Sequence, residues 1–385
     1  DAGVYAENVI VNKKVKLFGP NATINACNGT RVPEAIIVPA TDDISFGIVV
    51  EVKADDVEVS GFTIDGDNTT LANTATIAGS GAGVNAADGI SSYDAGVDNM
   101  VVKNNIIKNL SFAGITIYPF YGVAGTPSSG HDFSQNNIQD LGTYNAPSAG
   151  DNFWGIGVLE YNNGYAYINN NCMSNVRLGV QTGNFYQANP GTSAHTLIEN
   201  NTIQARSLGV FFNLHYSAAS PLTVQNNTIT PLAEANESDW NGVLVASHAS
   251  VNSTIKNNTI TATGFAPYSK GIEVWNVYPP ANATLIQENT ITDVSTGIFV
   301  NNYDGYNSNA NGSHAVILGN TVQGCDTSIY AKDNSLSSHN AVSISATNDF
   351  LIGAQRSVVF TESQANTVSG TVTENFLDGS LYTFD

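Results

Sequence analysis

A short motif that recurs about every thirty residues constrains the fold of this chain more than any other feature. It reads Asn-Asn-Thr-Ile or close to it, and its second Asn falls at positions 105, 137, 171, 201, 227, 258, 289 and 320. The steps between these positions are 32, 34, 30, 26, 31, 31 and 31 residues. A period in this range is typical of solenoids, propellers and repeat arrays, in which each unit buries its apolar face against its neighbours.

Two further segments accompany each Asn pair. About a dozen residues downstream lies a Gly-Ile/Val-x-Val-like segment, such as Gly271-Ile272-Glu273-Val274, and a third apolar segment precedes the pair, such as Ala283-Thr284-Leu285-Ile286. Both segments alternate in the manner of strands, and no window of twelve residues keeps a helical period. Three strands per unit predict an all-β fold, a single-stranded right-handed parallel β-helix of about twelve coils, because each strand can pair with its equivalent one coil on. A propeller blade would need four antiparallel strands and about forty residues.

The recurrent Asn is expected to stack on itself inside a turn of each coil. Its amide can satisfy buried backbone groups there, each of which would otherwise cost about 1–3 kcal/mol. Successive coils share one core, so residues 1–385 are predicted to form one domain. Opening coils or a cap are expected over 1–45, regular coils with the Asn ladder over 46–339, and C-terminal coils or a cap over 340–385. Phe62 stands where the first ladder Asn would sit.

The charge composition limits the classes of partner that this chain can bind. Thirteen Lys and Arg against 33 Asp and Glu give a net charge of -20, which argues against nucleic acid and anionic membrane surfaces. No run of eighteen apolar residues is available for membrane insertion. Cys27, Cys172 and Cys325 fit no metal-ligand spacing, and we expect buried small hydrophobes or at most one disulfide.

These motifs resemble a known family. The opening Tyr5-x-Glu7-Asn8-Val9 and the Asn-Asn-Thr-Ile repeats are similar to the pectate-lyase-like superfamily, in particular to its generic parallel β-helix repeats of carbohydrate-binding and sugar-hydrolysing proteins. The resemblance covers nearly the whole chain, but its motifs belong to the scaffold and fix no activity. It implies a polysaccharide or surface glycan as partner and an extracellular or cell-surface location. Gly130-His131-Asp132 resembles the Gly-His-Gly of polygalacturonases, although the accompanying signatures of that family are not evident.

Aligning the coils on the Gly of the downstream segment predicts where chemistry could lie. Just upstream of this Gly, five successive coils carry charged residues that we predict to be catalytic, namely Asp151, Arg177, Arg206, Asp239 and Lys270. In β-helix lyases, Arg and Lys neutralise a uronate carboxylate and help to remove the α-proton, and the resemblance implies that role here. The alternative is a solvated ladder of ion pairs, each of which contributes little.

Downstream of the Gly lie aromatic and imidazole side chains. Aromatic faces stack on sugar rings, so the predicted substrate-binding residues are Tyr121, Tyr161, Tyr186, Tyr216, Trp275, Tyr278 and Tyr303. His215 and His248 share one offset in adjacent coils and could serve as general acid and base or bind a metal. The alternative is an aromatic ladder that covers the side of the solenoid.

Glu160 and Glu273 are the carboxylates best suited to glycosidase chemistry, which uses two carboxyl groups about 5–9.5 Å apart. They lie three coils apart and cannot form one pair, so Glu160 would need Asp151, and Glu273 would need Asp239.

The sequence therefore predicts an extracellular β-helix protein that binds and processes polysaccharide as a lyase or glycoside hydrolase. The alternative is a non-catalytic cell-surface, adhesin-like, tailspike-like or self-assembling β-solenoid, and self-association stays open. No cofactor is required. Calcium would find ligands among the many carboxylates and Asn carbonyls, but no calcium-binding motif occurs.

Overall fold

The computed structural model describes most of the chain, with gaps between the elements. The described residues are 1–72, 75–93, 96–118, 128–143, 155–161, 163–184, 195–215, 222–232, 239–246, 253–262, 268–275, 283–302, 313–333, 341–347, 349–352, 354, 356–361, 367–373, 375–378 and 381–384. All regular elements in this part are strands, as the repeat predicts.

The strands fall into three families, one for each segment of the repeat. The first family, which precedes the Asn turn, has twelve strands in the described part: β3 (Lys16–Phe18), β6 (Glu58–Ser60), β11 (Val101–Lys103), β14 (Ser128–Ser134), β17 (Asn163–Asn169), β19 (His195–Glu199), β21 (Leu222–Gln225), β24 (Ser253–Lys256), β27 (Thr284–Gln287), β30 (Ser313–Leu318), β33 (Ala341–Thr347) and β36 (Thr367–Thr373).

The second family follows the Asn turn. It comprises β1 (Gly3–Ala6), β4 (Ala35–Val38), β7 (Thr63–Asp65), β12 (Ile106–Leu110), β15 (Asn137–Leu141), β22 (Thr228–Pro231), β25 (Thr259–Thr261), β28 (Thr290–Thr292), β31 (Thr321–Gln323), β34 (Phe350–Ile352) and β37 (Phe376–Asp378).

The third family carries the Gly segment. It comprises β2 (Val9–Val11), β5 (Asp43–Val52), β10 (Ala86–Ser92), β13 (Ala113–Ile117), β16 (Ile156–Tyr161), β23 (Asn241–Ala246), β26 (Lys270–Trp275), β29 (Thr296–Asn302), β32 (Thr327–Asp333), β35 (Arg356–Thr361) and β38 (Leu381–Phe384). Two long strands, β18 (Cys172–Asn184) and β20 (Thr202–His215), serve as second and third strand in one, and β8 (Ala75–Thr76) with β9 (Gly83–Val84) forms an antiparallel pair.

The chain divides into two compact units. The first unit holds Asp1–Thr182 with Ser193–Arg206, and the second holds Gly183–Thr192 with Ser207–Asp385. Within each unit, successive strands of a family pair in parallel and in register, for example Val102 with Phe133 in the first unit and Ile260 with Ile291 in the second. This confirms the predicted all-β parallel β-helix. A single domain over 1–385, with the cap boundaries given above, stays a prediction.

An Asn ladder runs through the turns of the first unit. The backbone N–H of Asn105 donates to Oδ1 of Asn136 at 3.1 Å, Asn136 to Asn171 at 2.9 Å, and Asn171 to Asn201 at 2.9 Å. Phe62 donates to Asn105 at 3.0 Å, so it does occupy the ladder position. The assignment of position 137 to the ladder was wrong, because Ile106 pairs with Asn137 and Asn105 therefore faces Asn136.

The second unit has its own ladder of Asn227, Asn258, Asn289 and Asn320. It continues beyond position 340 through Asp349 and Asn375, which accept from the N–H groups of Asn320 and Asp349 at 2.7 Å each. The ladder thus continues after the last Asn motif, which ends at about position 322 in the sequence. It can do so because an Asp carboxylate accepts the same hydrogen bond as an Asn amide.

In the described part of the chain, the residue before a ladder position has a left-handed backbone. Its φ is 57° at Asn226, 55° at Asn257 and 54° at Glu288. Asn tolerates this conformation better than most residues. The recurring Asn pair therefore combines two functions, an exposed turn former and a buried ladder residue.

The Gly of the third family packs against the Ile of the second. A Cβ on Gly271 would lie 2.4 Å from Cγ2 of Ile291 and 2.6 Å from the carbonyl oxygen of Gly297 in the next coil. The same holds at Gly209 and Gly242. The two recurring motifs therefore interlock, and this contact sets the close approach of neighbouring coils.

A segment near the N-terminus, the strap of residues 21–34, crosses the Asn turns of the first unit. Ala22 accepts from Nδ2 of Asn104 at 2.7 Å, and the N–H of Ala26 donates to Gln135 at 3.1 Å. Cys27 forms a disulfide with Cys172. The strap returns at Arg31, which donates to the carbonyl of Asn104 at 2.9 Å.

Candidate functional site

Several predicted site residues lie outside the described part of the chain. These are Asp151, Tyr121, Tyr186, Tyr216, His248, Tyr278 and Tyr303. His215 ends β20, but its side chain is likewise outside the described part. The proposed imidazole pair therefore stays a prediction.

Arg206 and Arg177 lie in the first unit. The Arg206 guanidinium donates to the carbonyls of Leu141 at 2.7 Å and Ala78 at 3.2 Å, and to Oδ1 of Asn175 at 2.7 Å. These acceptors belong to the scaffold, so the contacts of Arg206 favour a structural anchor over a group that receives a uronate. Arg177 is half-buried, and its backbone N–H donates to the carbonyl oxygen of Gly155 at 2.8 Å. Its catalytic role stays a prediction.

Glu160 points to the inside of its coil. Glu160 lies two residues after the core residue Val158 on β16, so the two side chains point to the same face of the strand, and Glu160 is 2% exposed. Its Oε2 accepts from Oγ1 of Thr196 at 3.1 Å and from the Thr182 hydroxyl. The carboxylate therefore bridges two hydroxyls within the coil, and its catalytic role stays a prediction.

Tyr161 belongs to a stack of three tyrosines on the outer face of the first unit. The ring centroids of Tyr93 and Tyr118 are 6.2 Å apart, and those of Tyr118 and Tyr161 are 5.3 Å apart. Tyr161 also contacts the amide of Gln181 through its hydroxyl. This supports an aromatic ladder at this place.

The sequence alignment missed Tyr93 and Tyr118. Ile115 pairs with Val158, so Gly114 is opposite Gly157 and not Gly155. With that register, a Tyr follows four residues after Gly89, Gly114 and Gly157 alike. This spacing was present in the sequence, but two glycines in one segment concealed it.

Asp88 anchors one end of the tyrosine stack. It is 2% exposed and accepts hydrogen bonds from Oγ1 of Thr116 at 2.7 Å and from the Tyr93 hydroxyl at 2.8 Å. Burial raises the pKa of Asp88 to about 6. Burial and the neighbouring Asp88 carboxylate raise the pKa of Tyr93, so this phenol stays a donor.

In the second unit, the structure brings together Lys270, Glu273 and Trp275. Oε2 of Glu273 lies 3.2 Å from Nζ of Lys270, and Oε1 accepts from the Trp275 indole N–H. Nδ2 of Asn241 donates to Oε2 at 3.0 Å. Glu273 is 2% exposed, and burial raises its pKa while Lys270 opposes that shift.

Aromatic rings continue this site along the outer face. Glu273 pairs with Phe299, and Phe299 pairs with Tyr330. The two rings stack with centroids 5.0 Å apart, and Nζ of Lys270 lies 5.9 Å from the Phe299 centroid. Asp239, the predicted partner of Glu273, is exposed just before β23. The groups that bond Glu273 in the described structure are an ammonium, an amide and an indole, so the predicted carboxyl pair has no support in these contacts.

Ser128 and His131 resemble a nucleophile and base but cannot act as one. Nδ1 of His131 accepts from the N–H of Met100 at 3.3 Å, so Nε2 carries the proton and donates to Oγ of Ser128 at 2.9 Å. Ser128 in turn donates to the carbonyl of Val97. Burial lowers the pKa of His131 to about 4. The similarity to a polygalacturonase motif thus reflects a buried structural histidine.

Within the described residues, no group of three or more His, Cys, Asp or Glu side chains could hold a metal ion. A search of the same residues finds no helix with the length and hydropathy needed to span a membrane.

The fold places the chain among parallel β-helix proteins. No family model matches it, and no curated protein sequence matches it. Among solved structures, it is similar to the Streptococcus pneumoniae surface protein and adhesin PfbA, with a TM-score of 0.46 and 13% identity over 98% of this chain and 90% of that chain. This similarity is too low to support a conclusion about function.

Proposed function

We propose that this chain is an extracellular β-helix protein that binds neutral polysaccharide on the outer face of its second unit, around Trp275. The observation that carries the proposal is the Glu273 carboxylate, which holds the Trp275 indole and the Lys270 ammonium beside the Phe299 ring. Glu273 itself is 2% exposed.

The chemistry of this face suits a sugar. Glu273 accepts from the indole N–H of the partly exposed Trp275, and the apolar face of an indole ring suits the C–H face of a pyranose. The Lys270 side chain is 20% exposed and has donors beyond the one directed at Glu273, so it can bond a hydroxyl.

The charge of the chain favours a neutral glycan over a polyuronate. A net charge of -20 repels an anionic polymer at long range, and the Lys270 ammonium of this face is already paired with Glu273. The Cys27–Cys172 disulfide supports an oxidising compartment and hence an extracellular location.

Polysaccharide processing is the second candidate. It is supported by Glu273, because a carboxyl group whose pKa is raised by burial is suited to general acid catalysis. Binding is the better supported function, since the described contacts of Glu273 include no second carboxyl group of the kind that glycosidases use.

A panel of neutral and acidic polysaccharides tests both candidates. We expect saturable binding of a neutral glycan, weakened at least about tenfold in Trp275→Ala because a stacking platform is lost. Phe350→Ala is the matched control, since Phe350 is an aromatic residue of the same unit, 51% exposed, and lies on β34 of the second family rather than on the third-family strands of this face. Unchanged binding by Trp275→Ala, with the melting temperature retained, would overturn the proposed site.

The same panel is followed by reducing-end release and by the ultraviolet absorbance of unsaturated uronates. Reducing ends that disappear in Glu273→Gln would indicate a hydrolase, and rising absorbance would indicate a lyase. Binding without product supports the non-catalytic surface protein.

A further inference from the structure

The outer face of the first-family strands in the first unit holds a second group of aromatic and charged residues. Phe133, Ala166, Ile168 and Ile198 of β14, β17 and β19 are fully buried. Because side chains alternate along a strand, the residues between them lie on the opposite, outer face. Five of these residues, which we call the tyrosine–carboxylate patch, are Asp132, Tyr165, Tyr167, His195 and Glu199. Leu197 lies on the same face, opposite Tyr167.

The strand register brings the members of the patch side by side. Asp132 pairs with Tyr167, and Tyr165 pairs with His195. The rings of Tyr165 and His195 are 6.4 Å apart and inclined by 62°. All five side chains are partly exposed.

The Tyr167 hydroxyl contacts one carboxylate, that of Glu199, and feels the charge of a second, that of Asp132. Tyr167 donates a hydrogen bond to Oε1 of Glu199, and this bond is the main reason why its pKa is raised to about 12. Burial adds to the shift, followed by the negative charges of Glu199 and Asp132. Asp132 also accepts from Nδ2 of Asn169 at a long 3.5 Å. The field at the centre of the patch is therefore negative.

The nearby cationic groups do not neutralise Asp132 in the structure. Lys103 pairs with Ser134 at the edge of the patch, but its Nζ bonds Glu58 at 2.7 Å. Burial lowers the pKa of His195, so its imidazole is neutral at pH 7. The titratable groups that face Tyr167 are thus Asp132, Glu199, Tyr165 and a neutral His195.

We propose that the tyrosine–carboxylate patch binds a basic peptide segment, with an arginine side chain as its anchor. A guanidinium can bond a carboxylate through its planar fork while its face stacks on a tyrosine ring. The patch offers the Asp132 carboxylate and, diagonally across from it on β17, the Tyr165 ring, two residues before Tyr167. The net charge of -20 also steers a basic partner towards the chain. This site is on a different strand family from the glycan face and does not depend on it.

The test uses a short oligoarginine peptide, an oligolysine peptide of the same length, and calorimetry on the whole chain. We expect oligoarginine to bind more tightly than oligolysine, because lysine lacks the fork and the flat face. Asp132→Asn should weaken oligoarginine binding about tenfold, while it keeps the acceptor for Asn169. Tyr165→Ala should remove the preference for arginine.

Glu7→Gln is the matched control. Glu7 is exposed, lies outside the patch, and its replacement changes the net charge by the same amount. Equal loss of binding in Glu7→Gln and Asp132→Asn would mean that only the overall charge attracts the peptide, and this would overturn the site. Absence of binding by the unaltered chain, or binding of a neutral sugar that depends on Tyr165 but not on Asp132, would overturn it as well.

Discussion

Asp88 links the stability of the first unit to pH. Burial raises its pKa to about 6 in the folded chain, against about 3.9 in the unfolded chain. The folded state therefore binds the proton more tightly. The resulting stabilisation is complete below pH 4 and is lost as the pH rises through about 6, by up to about 3 kcal/mol.

Asp88→Asn should remove this pH dependence, since the amide has no proton to lose. We expect the free energy of unfolding of the unaltered chain to fall by about 2 kcal/mol more than that of the variant between pH 4 and pH 7. Urea unfolding at the two pH values measures the difference. The same pH dependence in both proteins would contradict the assignment. The other acidic groups are the same in both proteins, so their contributions to the pH dependence cancel in the comparison.

Two identical neighbours, Asn257 and Asn258, should respond in opposite ways to one substitution. Asn257 is exposed with a φ of 55°, which Gly adopts freely, so Asn257→Gly should change stability by less than about 0.5 kcal/mol. Asn258 is buried and donates to Val224 and Asn289, so Asn258→Gly should cost at least about 2 kcal/mol by leaving buried groups unpaired. Thermal or urea unfolding of the two variants checks the contrast; equal effects would contradict the division of roles.

At this scale the sequence predicted the ladder but not its register in every coil. Gln135-Asn136-Asn137 offers two Asn residues, and only the pairing of Ile106 with Asn137 identifies Asn136 as the ladder residue. The segment around Gly155 and Gly157 has the same ambiguity, and resolving it reveals the tyrosine stack. A period of about thirty residues fixes which coil a residue belongs to, but a shift of one residue changes the face that a side chain occupies, and a shift of two changes its cross-strand neighbours.

The strap shows how one irregular element secures several regular ones. Its disulfide joins residues 145 apart in sequence, and closing a loop of that length in the unfolded chain contributes up to about 5 kcal/mol. The double variant Cys27→Ser/Cys172→Ser should therefore unfold at a lower temperature, and its strap should open more often. Unchanged thermal unfolding would contradict this contribution.

Trypsin cleavage after Arg31 reports the opening directly. The Arg31 side chain is 11% exposed because it bonds Glu34 and the carbonyl of Asn104. We expect cleavage there to accelerate at least about tenfold in the double Cys variant or under reductant, while cleavage after Lys14, whose side chain is 74% exposed, serves as the control and stays fast throughout. If the rate of cleavage after Arg31 is the same with and without the disulfide, the strap is held by its hydrogen bonds alone.

The contacts of the strap and of Arg206 could not be predicted from the sequence, and the reason is physical. Repeats predict contacts between equivalent positions of neighbouring coils, and the strands obey that rule. Cys27 and Arg206 instead bond groups that occupy no equivalent position, such as Cys172 and the carbonyl of Leu141. The sequence identified Lys270, Glu273 and Trp275 as candidate site residues, and they lie close together because they belong to one strand. The contact of Glu273 with Asn241 of the neighbouring strand could be found only once the strand register was known.

At the scale of the whole molecule, the net charge of -20 separates the two proposed ligands. A neutral glycan carries no charge for this field to act on, whereas a basic peptide is drawn to it from a distance. The range of that attraction is the Debye length, about 30 Å at 0.01 M salt and about 3 Å at 1 M.

Raising the salt concentration from about 0.01 M to about 1 M should therefore weaken oligoarginine binding at least about tenfold and leave the dissociation constant of the neutral glycan within about twofold. Titrations of each ligand at both concentrations measure this. The Trp275→Ala and Asp132→Asn variants assign each response to its own face, since Trp275 belongs to the second unit and Asp132 to the first. Glycan binding that falls with salt as steeply as peptide binding would mean that the glycan is recognised by charge. In that case the aromatic platform held by Glu273 would not be its binding site, because stacking on an indole does not depend on the Debye length.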